Sequence, residues 1–204
     1  MRVSRVLQVR LRRVPMTKQA RVLTDRELQR LLDFVAKGKN AKRNRAILMC
    51  QFLAGMRIGE VSALRVFDVL ASDGTIRTEI QLSAEQTKGK KGRTVILNQR
   101  LQAELAVYMQ SIRVRDKKQP LFATQRSSGF SSNSLTQVVN GIYRRAGFDG
   151  CTSHSARRSF ATKISSNGTS MRVLQKLMGH QNIQTTAIYI YASDDMLRNA
   201  VELV

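Results

Sequence analysis

Apolar residues recur with helical spacing from about residue 23 onward, and this pattern predicts a folded body that begins there. Thr24 and Glu27 have the spacing of a capping box, and Leu23 can pack against Leu28 as a hydrophobic staple. A first helix is therefore predicted from this box to about Ala36.

A second helix, strongly apolar, is predicted from about residue 42 to 54. Gly55 follows directly and can end this helix in a left-handed cap. A short third helix is predicted from Arg57 to about Arg65. The apolar helix thus turns into a new helix at this glycine.

The pattern changes between residues 67 and 97, where short runs are rich in Ile, Val, Thr and Leu. Two of these runs, residues 76–82 and 93–97, predict a small antiparallel sheet. The turn between them, residues 87–92, is basic and rich in glycine. Such a composition suits a mobile tip that reaches toward phosphates.

Helical spacing resumes at Asn98 and continues to the end of the chain. The predicted helices cover about residues 98–114, 132–146, 154–166, 171–178 and 183–191, with a last short helix capped by Ser193. The predicted fold class is therefore α+β, mainly α-helical, with a small antiparallel sheet.

The chain divides into a basic N-terminal arm (residues 1–22), the body (residues 23–192) and a C-terminal tail helix (residues 193–204). The arm contains no acidic residue, and Pro15 interrupts any continuous helix through it. Its apolar residues fit neither strand nor helix spacing, so both remain open. Contact with DNA and disorder are equally compatible with this composition.

The net charge of the chain predicts a polyanionic partner, since 35 Lys and Arg stand against 14 Asp and Glu, a formal charge of +21. A solvated basic surface is the plainer alternative. Membrane-surface binding usually concentrates basic residues on one helix or cluster, whereas here they are spread along the chain. Double-stranded DNA is therefore the expected partner, and membranes are not.

The sequence contains neither a signal peptide nor an apolar run of the roughly 18–20 residues that span a bilayer, so a cytoplasmic protein is expected. Cys50 and Cys151 are the only cysteines. They suggest neither a disulfide framework nor a zinc site, and we expect both to be buried.

Both histidines of the chain occur near residues suited to phosphate chemistry. His154 precedes Arg157 by three positions, which places both on one helix face, where they can point into a cleft. His180 precedes Tyr189 by nine positions. Each histidine alone is equally typical of a hydrogen-bonded structural residue, and residues 170–191 also resemble a helix-turn-helix that would read DNA without catalysis.

Arg57 follows a helix-ending glycine and is either a salt-bridge partner of Glu60 or an oxyanion ligand. Five motifs decide between these readings when they are taken together and in order: Ala-Gly-Met-Arg-Ile-Gly-Glu, Thr-Lys-Gly-Lys-Lys, His-Ser-Ala-Arg-Arg, Leu-Met-Gly-His and Thr-Thr-Ala-Ile-Tyr. With these motifs the chain resembles the tyrosine recombinase (phage integrase) family over about residues 23–192. The resemblance implies the family's catalytic-domain fold and site-specific recombination through a 3′-phosphotyrosine, with no metal and no cofactor.

The resemblance also implies roles for six residues, which we expect to be catalytic: Arg57, Lys88, His154, Arg157, His180 and Tyr189. Two arginines can neutralise phosphate charge in the transition state. Tyr189 is the expected nucleophile, His154 the acceptor of its proton, and Lys88 the acid that protonates the departing 5′ oxygen. Further DNA contacts are expected from Lys90, Lys91, Arg93 and Arg158, and Lys90 and Lys91 are also rivals of Lys88.

Other tyrosines fit the nucleophile position less well. Tyr191 would face elsewhere on a helix, and the spacing from His180 favours Tyr189. Tyr108 and Tyr143 lie in amphipathic stretches and are expected to be core or surface residues.

The chain departs from the family pattern in three places. Only about 22 residues precede the body, where most members have an additional helical domain, so a short form lacking the core-binding domain is expected. Ala156 replaces a larger apolar residue, and Arg158 replaces a frequent histidine. The apolar tail resembles the family segment that packs on a neighbouring protomer, and packing within its own chain is the alternative.

The resemblance therefore predicts a dimer or tetramer on DNA, together with an accessory DNA-bending protein. Two alternative functions are a non-catalytic DNA-binding accessory protein and DNA relaxation of the type IB topoisomerase kind. The target sequence stays open, as does the outcome among integration, excision, inversion and resolution.

Overall fold

The structure, a computed structural model, describes residues 20–87, 89, 91–124, 129–189 and 201–202. Within these residues helices dominate and one small sheet is present, which confirms the predicted fold class. The elements are α1 (Asp25–Ala36), α2 (Ala41–Ala54), α3 (Ile58–Ala63), α4 (Val66–Val69), β1 (Glu79–Leu82), β2 (Arg93–Ile96), α5 (Gln99–Met109), α6 (Ser132–Arg145), α7 (Ser155–Ser166), α8 (Met171–Met178) and α9 (Gln184–Ala187).

The body begins at the predicted capping box. The Thr24 hydroxyl accepts a hydrogen bond from the Glu27 amide, and the Glu27 carboxylate accepts one from the Thr24 amide at 2.9 Å. Leu23 and Leu28 pack in the same apolar cluster, as the staple predicts. The Leu23 amide also donates to Ser159 Oγ at 2.9 Å, which joins the start of α1 to α7.

Helix α2 forms the centre of the body, with α1, α5 and α7 packed around it. Its residues Ala46–Phe52 are buried without a polar face, because neighbouring helices cover every side. The helix ends at Gly55, whose φ of 59° is left-handed, as the sequence predicts.

The sheet pairs β1 and β2 in antiparallel register, with Ile80 opposite Val95. Both residues are buried, while their neighbours along the strands are more exposed. The first strand is shorter than predicted because Ile76 pairs instead with Leu70 in a separate bridge.

Three helices are also shorter than their apolar pattern predicts. Helix α3 stops at Ala63 because the chain becomes extended at Leu64, and Arg65 then bridges to Pro120. Helix α5 ends at Met109 rather than near residue 114. Helix α9 ends at Ala187 rather than near residue 191, and the short helix α4 was not predicted. Helices α1, α2, α6, α7 and α8 begin and end close to their predicted positions.

The core of the described chain has two parts. A large cluster spans α1 to the start of α7, and a smaller cluster contains Phe160, Ala161, Leu174 and Met178, with Tyr189 packed at its edge. Tyr108 and Tyr143 are core residues, and Cys50 is buried, whereas Cys151 is partly exposed. Most of the predicted catalytic residues that the structure describes lie where these two clusters meet.

Several predicted features lie outside the described residues: most of the basic arm, Lys88, Lys90, Tyr191 and the start of the tail helix at Ser193. None of the helices in the described ranges combines the length and the apolar character needed to cross a bilayer.

Candidate active site

The site is built at the C-terminal ends of α2 and α8, and each helix ends at a left-handed glycine, Gly55 or Gly179. A Cβ atom at Gly55 would lie 2.5 Å from the Phe160 ring, and one at Gly179 would lie 2.4 Å from Arg93 Cδ. Both the backbone conformation and the close packing therefore require glycine. The last carbonyls of each helix point outward and have no partner within the helix.

Three arginines donate hydrogen bonds to the carbonyl groups at the end of α8. Each of three successive carbonyls accepts from a different guanidinium: Leu177 O from Arg93 at 2.9 Å, Met178 O from Arg157, and Gly179 O from Arg57 at 2.9 Å. The C-terminus of a helix carries partial negative charge, which favours cations. The end of α8 thus gathers arginines that come from β2, from α7 and from the residue before α3.

Arg157 is the most deeply placed of these arginines, with 5% of the residue exposed. Its guanidinium also donates to Gly55 O, and its Nη2 lies 3.1 Å from His180 Nε2. Burial, followed by the charges of Arg57 and Arg93, lowers the pKa of Arg157 to about 9. The group therefore remains cationic at neutral pH.

Glu60 is the anion among these cations, and only 1% of its side chain is exposed. Its carboxylate pairs with Arg57 Nη1 at 2.8 Å and with Arg93 Nη2 at 2.7 Å. Burial alone would raise the pKa of Glu60, but the hydrogen bonds and charge of Arg93 outweigh it and leave the pKa below its ordinary value. The carboxylate is therefore ionised and holds both arginines in place.

Arg57 and Arg93 differ in how far solvent can reach them. The Arg57 side chain is 31% exposed and pairs with Glu60, as one of the two sequence-based readings predicts. Its role as an oxyanion ligand stays a prediction. The Arg93 side chain is 10% exposed and is engaged by Glu60 and Leu177. This placement does not suit the direct DNA contact predicted for Arg93, because its donors face inward.

His180 lies between the arginines and the predicted nucleophile. Its ring stacks on Tyr189, with centroids 5.9 Å apart and planes 20° from parallel. Burial, then the charges of Arg157, Arg57 and Arg93, lower the pKa of His180 to about 4, so its ring is neutral at pH 7. Tyr189 is half-buried and belongs to the same small apolar cluster as Met178.

His154 occupies a different setting. It precedes α7 and is exposed, and its backbone amide donates to Thr152 Oγ1 at 3.2 Å. Arg157, three residues later, points inward to α2 and α8. The shared helix face predicted for this pair therefore does not place both side chains in one cleft.

The basic turn between β1 and β2 passes close to the site. A Cβ atom at Gly89 would lie 2.7 Å from Gln181 Nε2, so the turn contacts the residue that follows His180. Lys91 is exposed, and its carbonyl accepts from Thr87 Oγ1 at 2.7 Å. Arg158 is half-buried on α7.

Two members of this cluster received no catalytic role from the sequence. Glu60 follows Arg57 by three positions and also accepts the Arg57 amide at 2.7 Å, a helix-start spacing that is visible in the sequence. Thr186 is fully buried, and its Oγ1 lies 3.0 Å from His180 Nδ1. The sequence feature that could have pointed to Thr186 is the pair of threonines shortly before Tyr189.

A sequence model of the phage integrase family matches residues 21–196. The chain belongs to the phage integrase family. Among other proteins of this family, the tyrosine recombinase XerA of Pyrococcus furiosus is 30% identical over 183 residues, which cover 88% of this chain and 60% of the relative. XerC of Lactobacillus delbrueckii subsp. bulgaricus is 32% identical over 157 residues, which cover 74% and 51%.

Solved structures of integrases and recombinases share the fold. The crystal structure of XerA recombinase superposes with a TM-score of 0.70 and 27% identity, over 89% of this chain and 64% of that chain. The Tn1549 transposon integrase, in complex with a circular intermediate DNA, gives a TM-score of 0.72 at 19% identity, over 93% and 67%, and this likeness shows the fold alone. The chain thus spans half to two thirds of the lengths of these relatives.

Proposed function

We propose that this chain is a site-specific DNA recombinase that cleaves and rejoins DNA through a 3′-phosphotyrosine at Tyr189. The convergence of Arg57, Arg157, His180 and Tyr189 at the end of α8 carries the proposal. These residues come from four separate parts of the chain, and each has a side chain suited to phosphoryl transfer. The names of the relatives, tyrosine recombinases, support the same chemistry.

The arginines supply charge stabilisation for the reacting phosphate. A guanidinium has five N–H donors, so the bonds of Arg57 to Glu60 and Gly179 fix its plane while leaving donors for a phosphate oxygen. Because Glu60 and the α8 carbonyls hold these groups before DNA arrives, little reorganisation is needed in the transition state. Arg93 acts indirectly by holding Glu60.

We propose the following bond changes, with the base and the acid taken from the family resemblance. The Tyr189 oxygen attacks phosphorus, the bond from phosphorus to the 5′ oxygen breaks, and the phenolic proton passes to a base, for which His154 is the candidate. Lys88 donates a proton to the departing 5′ oxygen, with Lys91 as the exposed alternative on the same turn. Attack by a free 5′ hydroxyl reverses these steps and rejoins the strand.

In this proposal, Tyr189 attacks a phosphate that is bound by the arginines of its own chain. Its ring stacks on His180, and its backbone amide donates to Thr186 O at 3.0 Å, so the chain just after α9 delivers the phenol to the site. Cleavage in cis is therefore part of the proposal.

DNA binding is proposed from the charge of +21 and from the basic turn beside the site. Lys90, Lys91 and Arg158 are the proposed backbone contacts, and Arg93 is reassigned to the interior network. An accessory DNA-bending protein remains a prediction from the family resemblance.

Self-association is proposed through a groove of about 630 Å³ beside α7. Its apolar lining includes Leu28, Phe52, Leu53, Ile164 and Leu177. The tail, residues 193–204, supplies apolar side chains of matching character, and Val201 is exposed. Insertion of this tail into the groove of a neighbouring chain would join protomers on DNA.

Cleavage can be tested with nicked DNA fragments that tile the sequence around the encoding gene, since loss of the short strand beyond the nick traps the covalent adduct. The wild-type chain and the matched control Tyr191→Phe are expected to form a protein–DNA band that survives denaturation. Tyr189→Phe is expected to form none. An adduct in Tyr189→Phe would contradict the nucleophile assignment, and supercoil relaxation without strand exchange would favour the topoisomerase alternative.

A further inference from the structure

Thr186 contacts the side of His180 that faces away from the arginines. Its hydroxyl Oγ1 lies 3.0 Å from His180 Nδ1, and the residue is fully buried. On the opposite side of the ring, His180 Nε2 lies 3.1 Å from Arg157 Nη2. The imidazole is therefore held at both nitrogens.

The chemistry of the two partners fixes the position of the proton on the ring. A guanidinium only donates hydrogen bonds, so Nε2 must accept from Arg157. A neutral imidazole has one protonated nitrogen, which must then be Nδ1, and this N–H donates to Thr186 Oγ1. A hydroxyl can accept this bond, whereas a methyl group of the same size cannot.

We propose that Thr186 is a positioning residue that holds His180 as the Nδ1–H tautomer, with Nε2 directed at Arg157 and at the phosphate site. This inference rests on the proposed phosphoryl transfer only for its catalytic consequence. The tautomer itself depends only on contacts within the folded chain.

The charges around the ring favour the same neutral tautomer. The charged groups around His180 are Arg157 from α7, Arg57 before α3, Arg93 from β2 and the carboxylate of Glu60 from α3, and Tyr189 stacks on its face. The net positive surroundings keep the ring neutral. Nε2 therefore stays an acceptor for Arg157 while Nδ1–H stays on Thr186.

The Thr186 hydroxyl thereby protects the hydrogen bond between Arg157 and His180. If Thr186 could not accept from Nδ1, the proton could move to Nε2, and Nε2–H would then face the Arg157 donors. Two donors cannot satisfy each other, so the ring or the arginine would have to shift. Removing the hydroxyl should therefore disturb the Arg157–His180 pair as well as the ring.

The test compares three variants at two neighbouring positions of α9. Thr186→Val replaces the hydroxyl by a methyl of similar volume, Thr186→Ser restores the hydroxyl, and Thr185→Val makes the same change at the exposed neighbouring residue. Long-range proton–nitrogen NMR at pH 7 reports which ring nitrogen of His180 carries the proton. Because the chain has only two histidines, His154→Gln assigns the signals.

We expect His180 to be the Nδ1–H tautomer in the wild type, in Thr186→Ser and in Thr185→Val, and to lose that preference in Thr186→Val. Cleavage of nicked DNA by Thr186→Val should slow by about 10-fold or more, since a catalytic imidazole in the wrong tautomer is poorly oriented, and DNA affinity should change little. The rate should recover in Thr186→Ser.

A wild-type ring protonated at Nε2 would overturn the proposal whether or not the variants fold. So would a Thr186→Val protein that keeps both the tautomer and the cleavage rate, or a Thr186→Ser protein that fails as Thr186→Val does. Absence of adduct from the wild type, with the predicted tautomer present, would instead count against the proposed recombinase function.

Discussion

Arg157 combines deep burial with a catalytic assignment, and its surroundings explain how both are possible. A buried cation is costly unless hydrogen-bond acceptors surround it. Here Gly55 O, Met178 O and His180 Nε2 lie around one guanidinium, and Glu60 supplies a nearby negative charge. The planar fork of arginine matches this set of acceptors, and the ammonium of lysine does not.

Arg157→Lys should therefore lower both stability and activity. The free energy of unfolding is expected to fall by about 1–3 kcal/mol, because buried carbonyls lose their donors, and adduct formation is expected to slow by about 100-fold or more. Urea unfolding and single-turnover cleavage measure the two effects. The control Arg26→Lys, at an exposed position of α1, should change neither, and equal behaviour of the two variants would refute the assigned role.

At the level of single elements, the end of α8 organises the site because it offers three carbonyls in succession. The helix reaches this position only by ending in the left-handed conformation at Gly179. Arg93 packs directly against that glycine. Adding a single carbon atom at this helix end should therefore disturb the positions of several arginines.

Gly179→Ala should destabilise the protein more than Gly168→Ala does. Both glycines have positive φ, 59° and 76°, so each alanine adds about 1–2 kcal/mol of backbone strain. Only at Gly179 does the new Cβ also collide with Arg93, whereas nothing lies within 4 Å at Gly168. Urea denaturation should show a larger loss for Gly179→Ala, with slowed cleavage in that variant alone; equal losses would contradict the packing argument.

The elements could be predicted from the sequence where local chemistry defines their ends. The Thr24 capping box and Gly55 mark the start of α1 and the end of α2 correctly. The premature end of α3 could not be predicted in this way, since residue 65 leaves the helix to pair with the distant Pro120. Tertiary contacts override local helix preference at such points.

The site shows the same division between local and tertiary information. Motif spacing singled out Arg57, Arg157, His180 and Tyr189, and the fold brings these residues together. Spacing could not show that Arg93 faces inward, because an arginine beside a basic turn is equally typical of the surface. Nor could it reveal that Thr186 meets His180, which depends on how α9 packs against α8.

For the whole molecule, the lowered pKa of His180 predicts a loss of stability in mild acid. The unfolded chain binds a proton near pH 6.5, whereas the folded site resists protonation until about pH 4. The contribution is therefore fully present above pH 6.5 and is lost as the pH falls toward 4. Glu60, whose pKa is lowered from 4.5, contributes to stability above that value and loses its contribution only in stronger acid.

Urea unfolding at pH 7, 6 and 5 measures this effect in the window before Glu60 titrates. The wild type should lose about 1 kcal/mol across the window, a figure reduced for the partial exposure of the ring. His180→Gln should lose less over the same range. A wild-type stability that is flat or rises toward pH 5 would contradict the predicted direction.

Assembly on DNA is also a property of the whole molecule, and the apolar tail is proposed to provide it. Val201→Asp places a charge on an exposed tail residue and should reduce assembly on DNA while single-chain cleavage continues. Val107→Asp makes the same change at an exposed position of α5 and serves as the control. Sedimentation of the DNA complexes distinguishes them. Unchanged assembly combined with lower monomer stability would instead favour packing of the tail within its own chain.

The covalent bond to Tyr189 is the central claim, and its direct test is to locate the nucleotide on the protein. Trypsin should release residues 177–198 as one peptide, because it cuts after Lys176 and Arg198, and this peptide contains both Tyr189 and Tyr191. Fragmentation of the adducted peptide by mass spectrometry assigns the attachment site. We predict a 3′-phosphonucleotide on Tyr189, and attachment to Tyr191 or to any residue outside this peptide would contradict the account.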